Sequence, residues 1–450
     1  MAGPREPNVR LREAIRSSGL TYEAAARAVR RVAAENGEIL RTNKSAVAHW
    51  VDGALPSGRT GQYLAEAISR RVDRVVTTSD LGLEQKEPIE SANADPVLAA
   101  TKLGRVDLER RQLLAAAVFT VANVAVPLDY DHDKVGRILR ARSTLGVVGE
   151  AEIEVVRSIT ATFSAADEIL GGGHGLTTVA AYLADSAAPM LRARFRSDRL
   201  RRRAFGAVAE LAYLAGWKHH DLGHEGAAQR YYLAGYQLAC EADPHGHAAW
   251  MMRALAHQAL SLKQPQHCAD LIDNALRRSL GHVDGQTQAL LYITQARAYS
   301  FLRDRSPAAR ALVLAENSLS RTDEPQPLFS AVAGPAAGTV ASHTARALTD
   351  LGDHLGTERQ HRDALVRWDP VKYKRVHVLT HADLGDSLAA QGKADEAVGA
   401  WTKALDLTED IVSDRVRKAI SSISPTLATY SKRGVPGSSE LRRRIFEASR

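Results

Sequence analysis

Several residues in this chain could hold a metal. KHHDLGH offers His219, His220, Asp221 and His224, DPHGH adds His245 and His247, and Cys240, His267 and Cys268 follow. His220 and His224 have the i, i+4 spacing of a helical ligand pair. Gly223 between them falls at the expected turn of a helical hairpin, which breaks that geometry. The stretch therefore reads as polar residues at a turn, with no metal site. GGGHG, residues 171–175, has the glycine content of a phosphate loop. It lacks the lysine followed by Ser or Thr, and no strand precedes it, so it reads as a capped helix–helix connection. LRARFRSDRLRRRAF sets seven arginines against Asp198. A solvated basic face is the usual meaning of such a run, and an anionic effector or a peptide carboxylate is the functional one. No Ser-His-Asp or Cys-His set gives a nucleophile a helper, so neither an enzyme nor a cofactor is expected.

A different chemistry is offered by TNKSAVAHWVDGALPSG, residues 42–58. Thr42 or Asn43 can cap a short helix on which Ala46, Val47 and Trp50 share the inward face and Gly53 ends the run. Lys44, Ser45, Ala48 and His49 face the other way. A small, polar outer face suits insertion into a DNA major groove, where such side chains reach base edges and the helix N-terminus favours phosphate. Arg27, Arg30 and Arg31 on the preceding helix, with Arg41, supply positive charge for the flanking backbone.

These residues need helices to position them, and helices are what the composition favours. Alanine, leucine and arginine dominate, aromatics are 5%, and 59 basic residues against 52 acidic leave a net charge of +7. Two cysteines cannot form a disulfide framework, which points to a reducing cytoplasm. No uncharged apolar run reaches the ~18 residues of a membrane span, and the charged N-terminus is unlike a signal peptide.

Three regions separate. Residues 1–82 hold short helices broken by turns, with a first helix around Leu11, a second capped by Thr21, a fourth around Leu64 and Ile68, and a short fifth at TTSDLGL. Residues 83–106, with two prolines and little periodicity, read as a linker. Residues 107–450 repeat. Gly216, Ala256 and Ala296 lie 40 apart, as do Tyr232, Ile272 and Leu312, and Gly235, Ala275 and Ala315. After a break, Ala345, Gly352, His361 and Ala364 are echoed by Gly385, Gly392, Trp401 and Ala404. A fixed step of small and large residues marks stacked helical hairpins. The expected fold is all-α, an N-terminal five-helix helix-turn-helix domain followed by an α-solenoid.

The unit LGDSLAAQGKADEAVGAWTKAL closely resembles a tetratricopeptide repeat through Leu384, Gly385, Leu388, Gly392, Ala397, Trp401 and Ala404. NKSAVAHWVDGALPSG resembles the third helix and following turn of XRE/Cro-like DNA-binding domains, although AAENGEILRTNK lengthens the approach to that helix. The whole chain is similar to actinobacterial transcription regulators joining such a domain to a tetratricopeptide-like region. Phrases like GGGHGLTTVAAYL recur in them. The resemblance implies base or phosphate contacts from Asn43, Lys44, Ser45, Ala46 and His49. It also implies an effector site near GGGH, for which His174, Arg196, Arg199 and Arg203 are the candidates. The expectation is a cytoplasmic, homodimeric DNA-binding regulator tuned by a peptide or small molecule. A helical-repeat adaptor that docks proteins without DNA is the alternative.

Overall fold

The computed structural model describes residues 7–35, 38–72, 76, 78, 80–83, 95–109, 146–320 and 325–448. The chain is predominantly helical, as expected. No helix among the described residues is long and apolar enough to cross a membrane.

The N-terminal module contains α1 (Val9–Ser17), α2 (Tyr22–Glu35), α3 (Lys44–Val51) and α4 (Thr60–Val72). The caps are local: Asn8 Oδ1 accepts from the Leu11 N–H, Thr21 Oγ1 from Ala24 and Asn43 Oδ1 from Ala46. Leu11, Ile15, Val29, Val32, Val47, Trp50, Leu64 and Ile68 meet in one core. Among the described residues the module has four helices, and the expected fifth is absent. Asp80–Gly82 is a turn, with Gly82 at φ +63°. Leu81 and Leu83 are both buried, and a spacing of two cannot put two side chains on one helical face. Asn8 Nδ2 clamps this turn by donating to the carbonyls of Leu81 (2.9 Å) and Gly82 (3.3 Å). Gly37, whose place after the alanine-rich second helix reads in the sequence as a C-terminal stop, lies outside the described residues.

The expected linker at 83–106 is helical in its second part, α5 (Pro96–Glu109), while residues 84–94 lie outside the described residues. Pro96 begins the helix instead of breaking it, because the first turn needs no proline N–H. Asp95 Oδ1 accepts from the Val97 and Leu98 N–H groups, and Val97, Ala100 and Leu103 join the main core.

Next come β1 (Val147–Val148), α6 (Glu150–Leu170) and α7 (Leu176–Tyr182). The chain runs through a π-turn (Leu183–Ala187) into α8 (Ala188–Met190), and β2 (Arg194–Phe195) pairs in parallel with β1. Five helical hairpins follow: α9 (Asp198–Asp221) with α10 (Glu225–Ala242), α11 (Gly246–Ser261) with α12 (Pro265–Ser279), α13 (Gly285–Phe301) with α14 (Arg305–Leu319), α16 (Ala336–Leu351) with α17 (His354–Arg367), and α18 (Lys374–Ala390) with α19 (Ala394–Asp406). The short α15 (Leu328–Ala331) occupies the break, across which α13 packs on α16. The 40-residue step reappears in the backbone. The hairpin turns carry left-handed residues at Gly223, Lys263 and Arg303, and again at Gly352 and Gly392. Gly216 and Gly385 make room for the rings of Tyr232 and Trp401, 16 positions on in each case. Finally α20 (Asp414–Ser422), α21 (Ser424–Lys432) and α22 (Ser438–Ala448) close the C-terminal core.

Candidate functional site

Helix α3 is fixed by its inner face, where Val47 and Val51 are buried and Trp50 is 8% exposed. The Val51 carbonyl also accepts the Asn8 backbone N–H at 2.8 Å. Lys44, Ser45 and His49 are exposed and their side chains make no hydrogen bond or ion pair among the described residues, and Ala46 is half-buried. Asn43 Oδ1 is committed as the cap at 2.9 Å, which leaves its Nδ2 to donate outward. Arg30 departs from the expected solvent-facing role: its Nη1 donates to the Thr42 carbonyl and ties α2 to the start of α3. Arg27 and Arg31, four residues apart, share one face of α2. Arg27 approaches Glu23 at 3.9 Å, while Arg31 and Arg41 are exposed without ion pairs among the described residues.

The residues expected at an effector site do not come together. His174 is exposed in the GGGH turn, and its carbonyl accepts from Lys218 Nζ at 2.9 Å near the end of α9. Arg203 sits in the first turns of α9, 15 residues earlier in the helix, or ~22 Å at 1.5 Å per residue. There it pairs with Glu150 and Glu154. Arg196 and Arg199 are exposed at the same far end. Much of the arginine run is already paired, with Arg192 on Asp95, Arg201 on Glu241 and Arg202 on Asp198.

KHHD is not an exposed turn: Lys218, His219, His220 and Asp221 are at most 2% exposed at the end of α9, and Gly223 follows at φ +77°. Each residue reaches a different segment. Lys218 pairs with Asp167 at 3.0 Å, His219 meets Asp107 at 3.2 Å and His220 meets Glu225 at 2.9 Å. Asp221 Oδ2 accepts from the Gly172 N–H at 2.9 Å and faces Arg375 at 3.4 Å. Gly172 is required by proximity, since a Cβ there would stand 2.6 Å from the Lys218 carbonyl oxygen. The glycine stretch is thus a packing junction. No group of three or more potential ligands among the described residues is arranged to hold a metal.

Beside this junction lies a cavity of about 100 Å³, open to solvent at its mouth and walled mainly by the first helices of four hairpins, α9, α11, α16 and α18, with Arg415 from α20 and Glu168 from α6. Arg375 forms ion pairs with Asp167 at 2.7 Å and Glu168 at 2.9 Å. Arg415 approaches Asp221 at 3.9 Å and rests on the Trp217 ring, and Arg346 bonds Asp383 at 2.8 Å. Burial alone would raise the Asp221 pKa, but Arg375, Arg415 and the Gly172 N–H hold it below the usual carboxylate value. Arg253 differs. It is 4% exposed and has no acidic partner; its Nε donates to the Leu290 carbonyl at 3.0 Å and its guanidinium lies 4.6 Å from the Trp250 ring centre. Burial pushes its pKa down to about 10. His257 and His343 beside it are driven well below the ordinary histidine value, by burial first and then by neighbouring cations, Arg253 among them. Sequence reasoning singled out Arg196, Arg199 and Arg203 and did not single out Arg253. The signal was Arg253 inside the apolar run AAWMMRALAHQAL, where a charge has no reason to sit unless something needs it.

Comparison with known proteins matches residues 11–84 to a family model described as the SP15 N-terminal domain. The match begins in α1, spans α2–α4 and ends before α5. Among curated proteins, none matches this chain.

Proposed function

We propose that this chain is a sequence-specific DNA-binding transcription regulator of the XRE type. In this reading it acts as a homodimer, and its tetratricopeptide-like repeat region holds an effector. The observation that carries the reading is the asymmetry of α3. One face is locked by Val47, Trp50 and Val51, while Lys44, Ser45 and His49 are left without a partner inside the described protein. A rigid helix with a small polar outer face fits the major groove, and lysine, serine and histidine there can meet base edges. Arg27, Arg31 and Arg41 supply phosphate contacts. Arg30 acts by positioning α3, and Asn43 donates through Nδ2 alone. One short helix reads few base pairs, so a dimer on a two-fold operator supplies the missing specificity, with half-sites ~34 Å apart.

The test is recovery of DNA bound to the tagged full chain in cells, alongside Lys44→Ala/His49→Ala. A small set of sites sharing a two-fold sequence, lost in the double variant while its helical content is unchanged, is the expected result. A double variant that binds as the parent does would show that α3 is not the reading helix. A parent with no salt-dependent retention on DNA would replace the regulator with the adaptor.

A further inference from the structure

We infer that the cavity between the hairpins binds a small planar molecule bearing one oxyanion head, carboxylate or phosphate, gripped by Arg253 with the ring laid on the cavity's aromatic walls. This names the effector class of the regulator proposed above. It rests on that reading only for its regulatory consequence, since the binding stands on the cavity itself.

The charge balance around the cavity identifies the missing group. Arg375, Arg415 and Arg346 each have a carboxylate within the protein, and Glu168, the acid on the cavity wall, is held by Arg375. Arg253 has none, although it is almost fully buried, and a buried cation without a counter-charge is unfavourable by several kcal/mol. Its Nε bond to Leu290 fixes the guanidinium plane, Arg253 lines the cavity, and its Nη atoms make no hydrogen bond among the described residues. A guanidinium presented edge-on is the fork that carboxylates and phosphates accept bidentately. The lining also includes Trp217, Tyr213 and Trp368, which suit a flat ring, and a space of about 100 Å³ behind an open mouth suits a single small ring. A zwitterion fits less well, because an ammonium would find only Glu168, already engaged.

Three probes distinguish the contributions, titrated by calorimetry into the full chain without DNA: benzoate, phenyl phosphate and the neutral benzamide. At least one anion should bind tenfold or more tightly than the amide, and whichever anion binds better identifies the head group. Arg253→Met should erase that preference while melting no lower than the parent, because it removes an unpaired buried charge. Val332→Trp, at the wall and distant in chemistry from the arginines, should exclude all three probes, and it serves as the test if Arg253→Met fails to fold. An amide that binds as well as the anions, an Arg253→Met protein that keeps the preference, or no binding by any probe would each overturn the inference. Operator binding by the same preparation is scored separately: intact DNA binding with a probe-blind cavity sinks this inference alone, and the converse sinks only the regulator.

Discussion

Replacing Gly385 with alanine should weaken the hairpin of α18 and α19, even though alanine is the better helix former by ~1 kcal/mol. A methyl at this position would stand 2.3 Å from Trp401 Nε1, 2.4 Å from Cδ1 and 2.9 Å from Cε2. All three lie inside van der Waals contact, so the indole must move. It has nowhere easy to go: Trp401 is 1% exposed, it is packed with Leu384, Leu388 and Tyr430, and its Nε1 donates to Asp386 Oδ1 at 3.1 Å. Overpacking of this kind costs ~1–3 kcal/mol, and the strained indole hydrogen bond adds ~1 kcal/mol. Set against the helix gain, the net loss is about 1–3 kcal/mol. Gly399, in the facing helix, is the control, because a Cβ there meets nothing within 4 Å. Gly399→Ala should therefore stabilise the same hairpin by ~0.5–1 kcal/mol. A chain with several separate cores does not unfold in one step, so the readout is hydrogen exchange of α18 and α19 amides, which reports local opening. Equal protection in Gly385→Ala and the parent, or equal losses in both variants, would refute the small-against-aromatic packing behind the repeat.

Lys263 and Arg303 hold the left-handed turn position that glycine takes in the other hairpins, so changing either to glycine should raise protection of its hairpin by up to ~1 kcal/mol; a loss would mean the side chains make contacts worth more than the backbone strain. Arg30→Ala should weaken binding to every DNA sequence without changing the salt slope, because it loosens α3, whereas Arg31→Ala should lower the slope itself; equal slopes would contradict that division. Burial pushes the Glu210 carboxyl up to about 7, against Arg157 at 3.7 Å. A raised folded pKa means stability complete below the ordinary value of 4.5 and lost as pH rises through about 7, so Glu210→Gln should flatten the fall in melting temperature between about pH 5 and about pH 8. Cys240 and Cys268 are buried, with thiols pushed up to about 12, so iodoacetamide should modify them only after denaturant opens the chain, and rapid native labelling would contradict the packing of α10 and α12.

Much of the helical architecture was legible because it is written in positions that cannot vary freely. Gly216 and Gly385 must be small to admit Tyr232 and Trp401, and that constraint produces a step readable without coordinates. Boundaries were less legible where one residue type has two meanings. Pro96 breaks a helix interior and begins a helix equally well, and only Asp95 folding back onto the Val97 and Leu98 N–H groups decides between them. TTSDLGL carries a good cap and two leucines, yet Leu81 and Leu83 are both drawn into the core and the chain turns.

Polar residues were the hardest to read, for a physical reason. The sequence reports that a side chain is charged but not whether a partner from a distant segment waits for it. KHHD looked like a solvated turn because its partners Asp107, Asp167 and Arg375 lie far away in the chain, and only the packing of α5, α6 and α18 against α9 brings them within reach. The same uncertainty runs the other way on α9, where a dense arginine run suggested a ligand site and proved largely paired. What marks a site is a charge the fold leaves unanswered, and density of charge is a poor guide to that. By this criterion Lys44 and His49 on α3 are unanswered in solvent, where that is inexpensive and common, while Arg253, like Arg297, has no carboxylate partner in the interior, where that is neither. The interior cation is therefore the stronger indication that this protein holds a ligand, and the alanine-rich run around it is where a reader of the sequence should have stopped.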